Sequence, residues 1–216
     1  MNVRTVVHLL RHGEVNNPSG VLYGRLPGFH LSETGRAMAA RLADYVSDFD
    51  LAHLRCSPLE RAQETMAPIA ESHGLAVTTD ERVIEAGNRL EGQRVAADGK
   101  ALRNPRNWAY LRNPLRPSWG EPYVDIAARM RLALRDAVAE AEGHEALIVS
   151  HQLPIWTARR DVEGRWLAHD PRKRDCTLAS LTSITFLDGR ATSVSYSEPA
   201  ADLLPRAKAQ KTPAGA

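Results

Sequence analysis

Short apolar runs alternate along this chain with stripes of apolar residues at helical spacing. The apolar runs predict strands at about 5–10, 50–56, 75–79 and 145–150. Two further strands, at about 177–187 and 190–197, are predicted to form a hairpin, because Asp188-Gly189 between them is a good turn dipeptide. Strands that alternate with helices in this way predict an α/β fold.

Three helices are predicted from the apolar stripes and from the residues that begin and end them. The first covers about residues 33–47 and follows Ser32, a good N-cap. The second starts in a capping box, Ser57-Pro58-Leu59-Glu60, and ends at Gly74. The third is a long helix that ends at Gly143.

The first strand ends abruptly in Arg11-His12-Gly13, where the chain stops burying side chains and starts to present them. His151 follows the strand at 145–150 in the same manner. In open α/β sheets the ligand crevice lies just beyond the carboxyl ends of the strands, so both histidines are candidates for a reactive site. Gly13 lacks a Cβ, and we expect that absence to leave room for a ligand next to His12.

The triplet Arg11-His12-Gly13 after a hydrophobic strand resembles the active-site signature of the histidine phosphatase superfamily, which includes the cofactor-dependent phosphoglycerate mutases. The segments 31–35 and 57–65 resemble two further family segments, a helix start and Ser-x-x-x-Arg-Ala-x-x-Thr. Glu85, followed by Glu91-Gly92, is similar to the segment that carries the family's proton-donating carboxylate. The resemblance implies a phosphoglycerate mutase-like three-layer sandwich, a mostly parallel sheet with helices on both faces.

The resemblance also implies a role for each of these residues. His12 would be the nucleophile that becomes a phosphohistidine, and Glu85 would be the proton donor. Arg11, Arg61, His151 and Asn17 would bind the phosphate. Phosphoryl transfer needs mainly a grip on the phosphoryl group and neutralisation of its charge, and guanidinium groups supply both. We therefore expect neither a metal ion nor a cofactor.

The chain departs from the family pattern at three positions. Pro18 stands where an asparagine is common, with Asn17 one place earlier; Gly28 stands where an aspartate is frequent, and Gln152 replaces the glycine after the second histidine. Three functions stay open: a phosphatase for phosphomonoesters, a phosphoglycerate mutase, and a non-catalytic sensor of a phosphorylated ligand. Residues 81–121 lack the mutases' Glu-Arg-x-Tyr-Gly segment and their adjacent arginine pair, which favours the phosphatase.

Length and composition suit one large domain, because 216 residues with 43% apolar content can build a substantial core. We expect the catalytic domain at 1–197, with an aperiodic lid or insertion at about 97–121, and a flexible tail at 198–216. His8 is expected to be an ordinary sheet residue, and Arg172-Lys173-Arg174 a solvated surface turn.

Charge and cysteine content limit the partners and the compartment. A net charge of +2 is too small to indicate nucleic-acid binding and suits a small phosphorylated metabolite. Cys56 and Cys176 lie far apart without a CxxC companion, which is typical of the reduced cytoplasm. No apolar run approaches the roughly 20 residues of a membrane span, so we expect no membrane partner. A homodimer is implied only by the family resemblance.

Overall fold

The computed structural model describes residues 3–94 and 120–204. This part contains six strands and four α-helices in the predicted α/β order, and the helix Gln152–Val162 was not among the three predicted helices. The elements are β1 (Arg4–Arg11), α1 (Glu33–Tyr45), β2 (Leu51–Cys56), α2 (Glu60–His73), β3 (Val77–Thr79), α3 (Tyr123–Glu140), β4 (Glu145–Ser150), α4 (Gln152–Val162), β5 (Leu181–Leu187) and β6 (Arg190–Ser197).

The strands form one mixed sheet in the order β3-β2-β4-β1-β5-β6. β1, β2, β3 and β4 run parallel, whereas β5 and β6 form an antiparallel hairpin at one edge. Asp188 and Gly189 adopt positive φ values of 49° and 75°, as expected of the predicted turn. β5 begins at Leu181 rather than at 177, because Ser180 N–H closes a turn on the carbonyl of Thr177.

Alternate residues of the central strands face two separate apolar clusters. Leu9 and Ile148 belong to the cluster under α3 and α4, and Leu10 and Val149 to the cluster under α1 and α2. Burial on both faces explains why the interiors of β1 and β4 are mostly apolar. The predicted three-layer sandwich, with helices on both faces of a mostly parallel sheet, is confirmed.

His8 interrupts the apolar run of β1 without taking part in a site. Its ring nitrogens pair with Ser183 Oγ at 2.7 Å and Glu145 Oε2 at 3.0 Å, on the two neighbouring strands. The interpretation of His8 as a paired sheet residue is therefore confirmed.

The helix starts agree with the sequence in one case and differ in another. Ser32 Oγ accepts a hydrogen bond from Gly35 N–H at 2.9 Å, which confirms it as the N-cap of α1. The predicted capping box of α2 is wrong, because the helix begins at Glu60 after Leu59 and has no side-chain cap. The Glu60 carboxylate instead accepts from Gly28 N–H at 2.9 Å. Gly74 ends α2 in the left-handed conformation, as predicted.

Gly13 and Gly35 let the loop after β1 and the first turn of α1 touch through their backbones. A Cβ on Gly13 would lie 2.7 Å from the carbonyl oxygen of Gly35, and one on Gly35 would overlap the carbonyl of Glu14. The expectation that Gly13 makes room for a ligand is therefore corrected. The missing side chain makes room for a helix, which holds the residues after His12 in place.

Two predicted segments extend beyond the described residues. Most of the lid expected at about 97–121 falls in 95–119, which lie outside them; Gly120 forms an antiparallel bridge with Asn88. At the other end the chain does not leave the domain at residue 198, because Ala200 is buried and Leu203 and Leu204 pack against the core. Residues 205–216 also lie outside the described part. None of the described helices has the length and apolar character needed to cross a membrane.

We predict that Gly35→Ala destabilises the protein by about 2 kcal/mol, because the new methyl group overlaps the backbone of Glu14. A loss of stability is informative, because replacing glycine with alanine within a helix otherwise raises the free energy of unfolding by up to about 1 kcal/mol. Urea denaturation measures the free energy of unfolding. As a control, Ala37→Gly at an exposed position of the same helix should lower the free energy of unfolding by about 1 kcal/mol, because glycine has a lower helix propensity than alanine. A stabilised Gly35→Ala variant would contradict the close approach.

Candidate active site

Three parallel strands, β1, β4 and β2, end at the same edge of the sheet. His12 N–H donates to the carbonyl of Ser150 at 3.2 Å, and Ser57 N–H donates to the carbonyl of Val149 at 3.0 Å. The residues that follow these strands therefore meet. The rings of His12 and His151 have centroids 5.1 Å apart and are tilted by 56°.

His12 is fully buried, and its two ring nitrogens have different surroundings. Nδ1 lies 2.8 Å from the carbonyl oxygen of Gly13, which can only accept, so Nδ1 carries the hydrogen. Nε2 is buried without a hydrogen-bond partner among the described residues. Burial, reinforced by the charges of Arg61 and Arg11, holds the pKa of His12 well below its usual value. The ring is thus neutral, and the lone pair of Nε2 receives no hydrogen bond from the described residues.

Arg11 and Arg61 are buried beside His12, and backbone carbonyls hold them. Arg11 Nη1 donates to the carbonyl of Cys176 at 2.6 Å, and Arg61 Nη2 donates to that of Gly24 at 2.6 Å. Among the described residues, Arg11 Nε and both Nε and Nη1 of Arg61 lack partners. Burying donors unsatisfied is costly, so this arrangement is typical of a site that receives an anion.

His151 is linked to both Arg61 and Ser57. Arg61 Nη2 lies 3.4 Å from Nδ1 of His151; because a guanidinium can only donate, that nitrogen accepts and Nε2 carries the hydrogen. Nε2 lies 2.7 Å from Ser57 Oγ. Burial is the main reason that the pKa of His151 is well below its usual value. Ser57 therefore orients His151 rather than capping α2.

Glu85 is the buried carboxyl group of the site, with 6% of its surface exposed. Its Oε1 accepts from the N–H of Ala86 at 2.8 Å. Burial raises the pKa of Glu85, and the N–H of Ala86 and the charges of Arg61, Arg11 and Arg174 oppose that shift. Glu85 thus holds a proton more readily than an exposed carboxylate, as its predicted role requires.

Thr65 joins the loop after β1 to the first turns of α2. Its hydroxyl accepts from Gly13 N–H at 3.1 Å and donates to the carbonyl of Arg61 at 2.7 Å. The side chain therefore fixes the position of His12 relative to Arg61. Thr65 ends a segment that resembles the family, and that segment was the signal that could have identified it.

Arg174 is a buried member of the site, and the expectation of a solvated turn is wrong for it. Only 9% of its surface is exposed. Its Nε donates to His169 Nε2 at 2.8 Å, and Nη1 lies 3.4 Å from Gln152 Oε1. Gln152 in turn donates to the carbonyl of Cys176, the group that holds Arg11. A run of three basic residues contains no local signal for such burial.

Asn17 uses its side chain within its own loop. The amide donates to the carbonyl of Val21 at 2.8 Å and accepts from its N–H at 3.2 Å. The structure thus brings together His12, Arg11, Arg61, His151 and Glu85, while the hydrogen bonds of Asn17 close a turn. Its part in phosphate binding stays a prediction.

A cavity lies beside the backbone of Glu85. Arg25 connects the two, because its Nε donates to the carbonyl of Glu85 at 2.6 Å and its Nη2 to Glu121 at 2.9 Å. The described residues that line the cavity are Arg25, Gly87, Asn88, Arg89, Glu91, Gly120 and Glu121. Within residues 3–94 and 120–204, no cluster of three or more histidine, cysteine or carboxylate side chains is arranged to hold a metal ion.

Comparisons with known proteins agree with this architecture. The profile of the histidine phosphatase superfamily (branch 1) matches residues 7–199. The chain is 57% identical over 201 residues to uncharacterized protein Rv0525 of Mycobacterium tuberculosis, covering 93% of this chain and 100% of that protein. It is 36% identical over 152 residues to a 2,3-bisphosphoglycerate-dependent phosphoglycerate mutase of Thermoplasma acidophilum, covering 69% and 72% of the two chains. The solved structure of a mycobacterial glucosyl-3-phosphoglycerate phosphatase has the same fold, with a TM-score of 0.70, 24% identity, and coverage of 89% and 97%.

We predict that His12 stays neutral at pH 6, with its hydrogen on Nδ1, because burial and two arginines disfavour the imidazolium. Nitrogen-15 NMR of the imidazole rings measures both the charge and the tautomer. The exposed His30 is an internal control, since its contact with Glu64 raises its pKa and should keep it largely charged at that pH. A charged His12, or one with its hydrogen on Nε2, would contradict the assignment.

Proposed function

This chain belongs to branch 1 of the histidine phosphatase superfamily, and from that membership we propose that it is a metal-independent phosphatase acting on a phosphomonoester through a phosphohistidine on His12. One observation carries the proposal. Burial and the charges of Arg61 and Arg11 keep the imidazole of His12 neutral, its Nε2 has no partner among the described residues, and buried nitrogens of both guanidinium groups are likewise without one. That combination suits a nucleophile next to an anion.

In the first step, Nε2 of His12 attacks phosphorus, a P–N bond forms, and the ester P–O bond breaks. Arg11 and Arg61 hold the equatorial oxygens, on which negative charge is spread in the transition state. The departing alkoxide takes a proton from Glu85, whose pKa is raised by burial. The leaving group would occupy the cavity lined by Arg25 and Asn88, next to Glu85.

In the second step, a water molecule attacks the phosphohistidine. Glu85, now a carboxylate, takes a proton from that water as the new P–O bond forms and the P–N bond breaks. Inorganic phosphate leaves, and Glu85 is protonated again for the next substrate. The two fixed arginine charges serve the purpose that a divalent cation serves in metal-dependent phosphatases, so activity should persist in a metal chelator.

A phosphoglycerate mutase is the second candidate, favoured by the identity to a relative that carries this name. A mutase returns the phosphoryl group to a bound substrate before water reaches it. The absence of the mutase segment and arginine pair from residues 81–121 favours the phosphatase. Incubation with 3-phosphoglycerate and a bisphosphoglycerate primer separates the two: rapid interconversion of phosphoglycerates would identify a mutase, and release of phosphate from an ester panel would identify the hydrolase.

We predict that His12→Gln lowers kcat/KM for an aryl phosphate by at least about 10³-fold, because it removes the nucleophile. The wild-type protein, quenched during turnover, should carry acid-labile, base-stable phosphate that the variant lacks. His8→Gln, in the same strand but within the sheet, is the matched control and should keep activity within a few-fold. A loss below about tenfold on His12→Gln would remove the nucleophile assignment. Phosphate binding without any turnover would instead support a non-catalytic sensor.

We predict that the effect of Glu85→Gln depends on the leaving group. Single-turnover formation of the phosphoenzyme should slow by about 10²-fold or more with phenyl phosphate, whose leaving group needs a proton. It should slow much less with 4-nitrophenyl phosphate, which departs as a stable anion. The exposed Glu81→Gln, in the same segment, is the control. Equal losses on the two esters would show that Glu85 is not the acid.

A further inference from the structure

Tyr23 is a buried aromatic residue in the loop after β1, and it packs against Arg61. Only 6% of its surface is exposed. The guanidinium carbon of Arg61 lies 4.8 Å from the centroid of its ring, within the range of a cation–π contact. The ring of Phe29 stacks with Tyr23 at 5.2 Å, with 28° between the planes. Tyr23 is thus held between a second aromatic residue and the site.

The next residue holds the same guanidinium through its backbone. The carbonyl of Gly24 accepts from Arg61 Nη2 at 2.6 Å. Gly24 has a φ of 41°, and the carboxylate of Glu91 occupies the space that a Cβ would need. That carboxylate also accepts from the N–H groups of Arg25 and Asn88, each at 3.1 Å. The Gly24 carbonyl is therefore tied to the segment that follows Glu85.

Together, ring and carbonyl restrain Arg61 and leave two of its nitrogen donors without a partner. Nη2 is engaged, whereas Nε and Nη1 are buried and lack partners among the described residues. Among the carboxylates of the described residues, none forms an ion pair with Arg61. A carboxylate would have restrained the guanidinium but would also have occupied its donors and neutralised its charge. An aromatic face restrains it and leaves both intact.

We propose that Tyr23 is a positioning residue, whose ring sets the plane of the Arg61 guanidinium and so directs Nε and Nη1 at the transferred phosphoryl group. This inference rests on the proposed function. It assigns the effect to the ring, and the hydroxyl group has no part in it. A planar donor pair recognises phosphate oxygens only in the right orientation, so loss of the ring should weaken phosphate binding with little change in the fold.

The test compares Tyr23→Leu, which removes the ring, with Tyr23→Phe, which keeps it. The affinity for inorganic phosphate is measured by calorimetry, and kcat/KM is measured with an aryl phosphate. Tyr23→Leu should weaken both by about tenfold. Tyr23→Phe should recover most of that loss. An equal loss in the two variants would assign the effect to the hydroxyl and overturn the inference.

A double-mutant cycle separates positioning from general destabilisation. In an Arg61→Lys background the planar group is gone, so Tyr23→Leu should lower kcat/KM by less than about threefold further. A full tenfold loss there would mean that Tyr23 does not act through Arg61. If Tyr23→Leu does not fold, Phe29→Leu, which removes the ring stacked with Tyr23, should weaken phosphate binding about two- to threefold. Unchanged affinity in that variant would overturn the inference.

The two proposals fail in different ways. A wild-type protein that neither binds phosphate nor hydrolyses esters would remove the proposed function. A wild-type protein that does both, with Tyr23→Leu at wild-type values, would remove only the role of Tyr23.

Discussion

The site is built around two arginine side chains that are buried with their charges intact. Arg11 and Arg61 expose 1% and 0% of their surface, and each is anchored by a backbone carbonyl. A carbonyl oxygen orients a guanidinium without cancelling its charge, so the positive potential remains available to an anion. Burial, reinforced by the same potential, lowers the pKa of His12 and His151, and the potential opposes the rise that burial causes in the pKa of Glu85. Burial and these two charges thus act together on the two histidines, whereas on Glu85 they act against each other.

Arg55 shows how the same fold treats an arginine that has a structural role. It is 3% exposed and pairs with the carboxylates of Asp80 and Glu140. Asp80 also binds Arg82, and these contacts lower the pKa of Asp80 to about 2. This network neutralises its buried cation, as stability requires. The contrast between Arg55 and Arg61 supports the proposal that the unneutralised charge of Arg61 serves to bind an anion.

Backbone contacts hold these charges in position. Gly13 and Gly35 bring α1 against the loop after His12, and Thr65 ties that loop to the carbonyl of Arg61. The segment that contains Glu85 is connected to the loop after β1 through Arg25. The Arg25 side chain donates to the carbonyl of Glu85, and the N–H of Arg25 donates to Glu91. The proposed nucleophile, the arginines proposed to bind phosphate and the proposed acid therefore lie on backbone segments that are hydrogen-bonded to one another, an arrangement that favours a fixed geometry.

The amino-acid pattern was enough to predict the six strands, three of the four described α-helices and most of the candidate site residues. Apolar periodicity located the six strands. Short motifs pointed to His12, Arg61, Glu85 and His151, because the residues that end a strand or start a helix are neighbours along the chain. The folded structure alone shows that β1 lies next to β4, which brings the two histidines together. It also decided that the carbonyl of Gly13 selects the tautomer of His12, that Ser57 serves His151 rather than a helix, and that Arg174 is buried. Most of these contacts join residues that are far apart along the chain. A local sequence pattern does not show which distant residue will lie next to a given position in the fold.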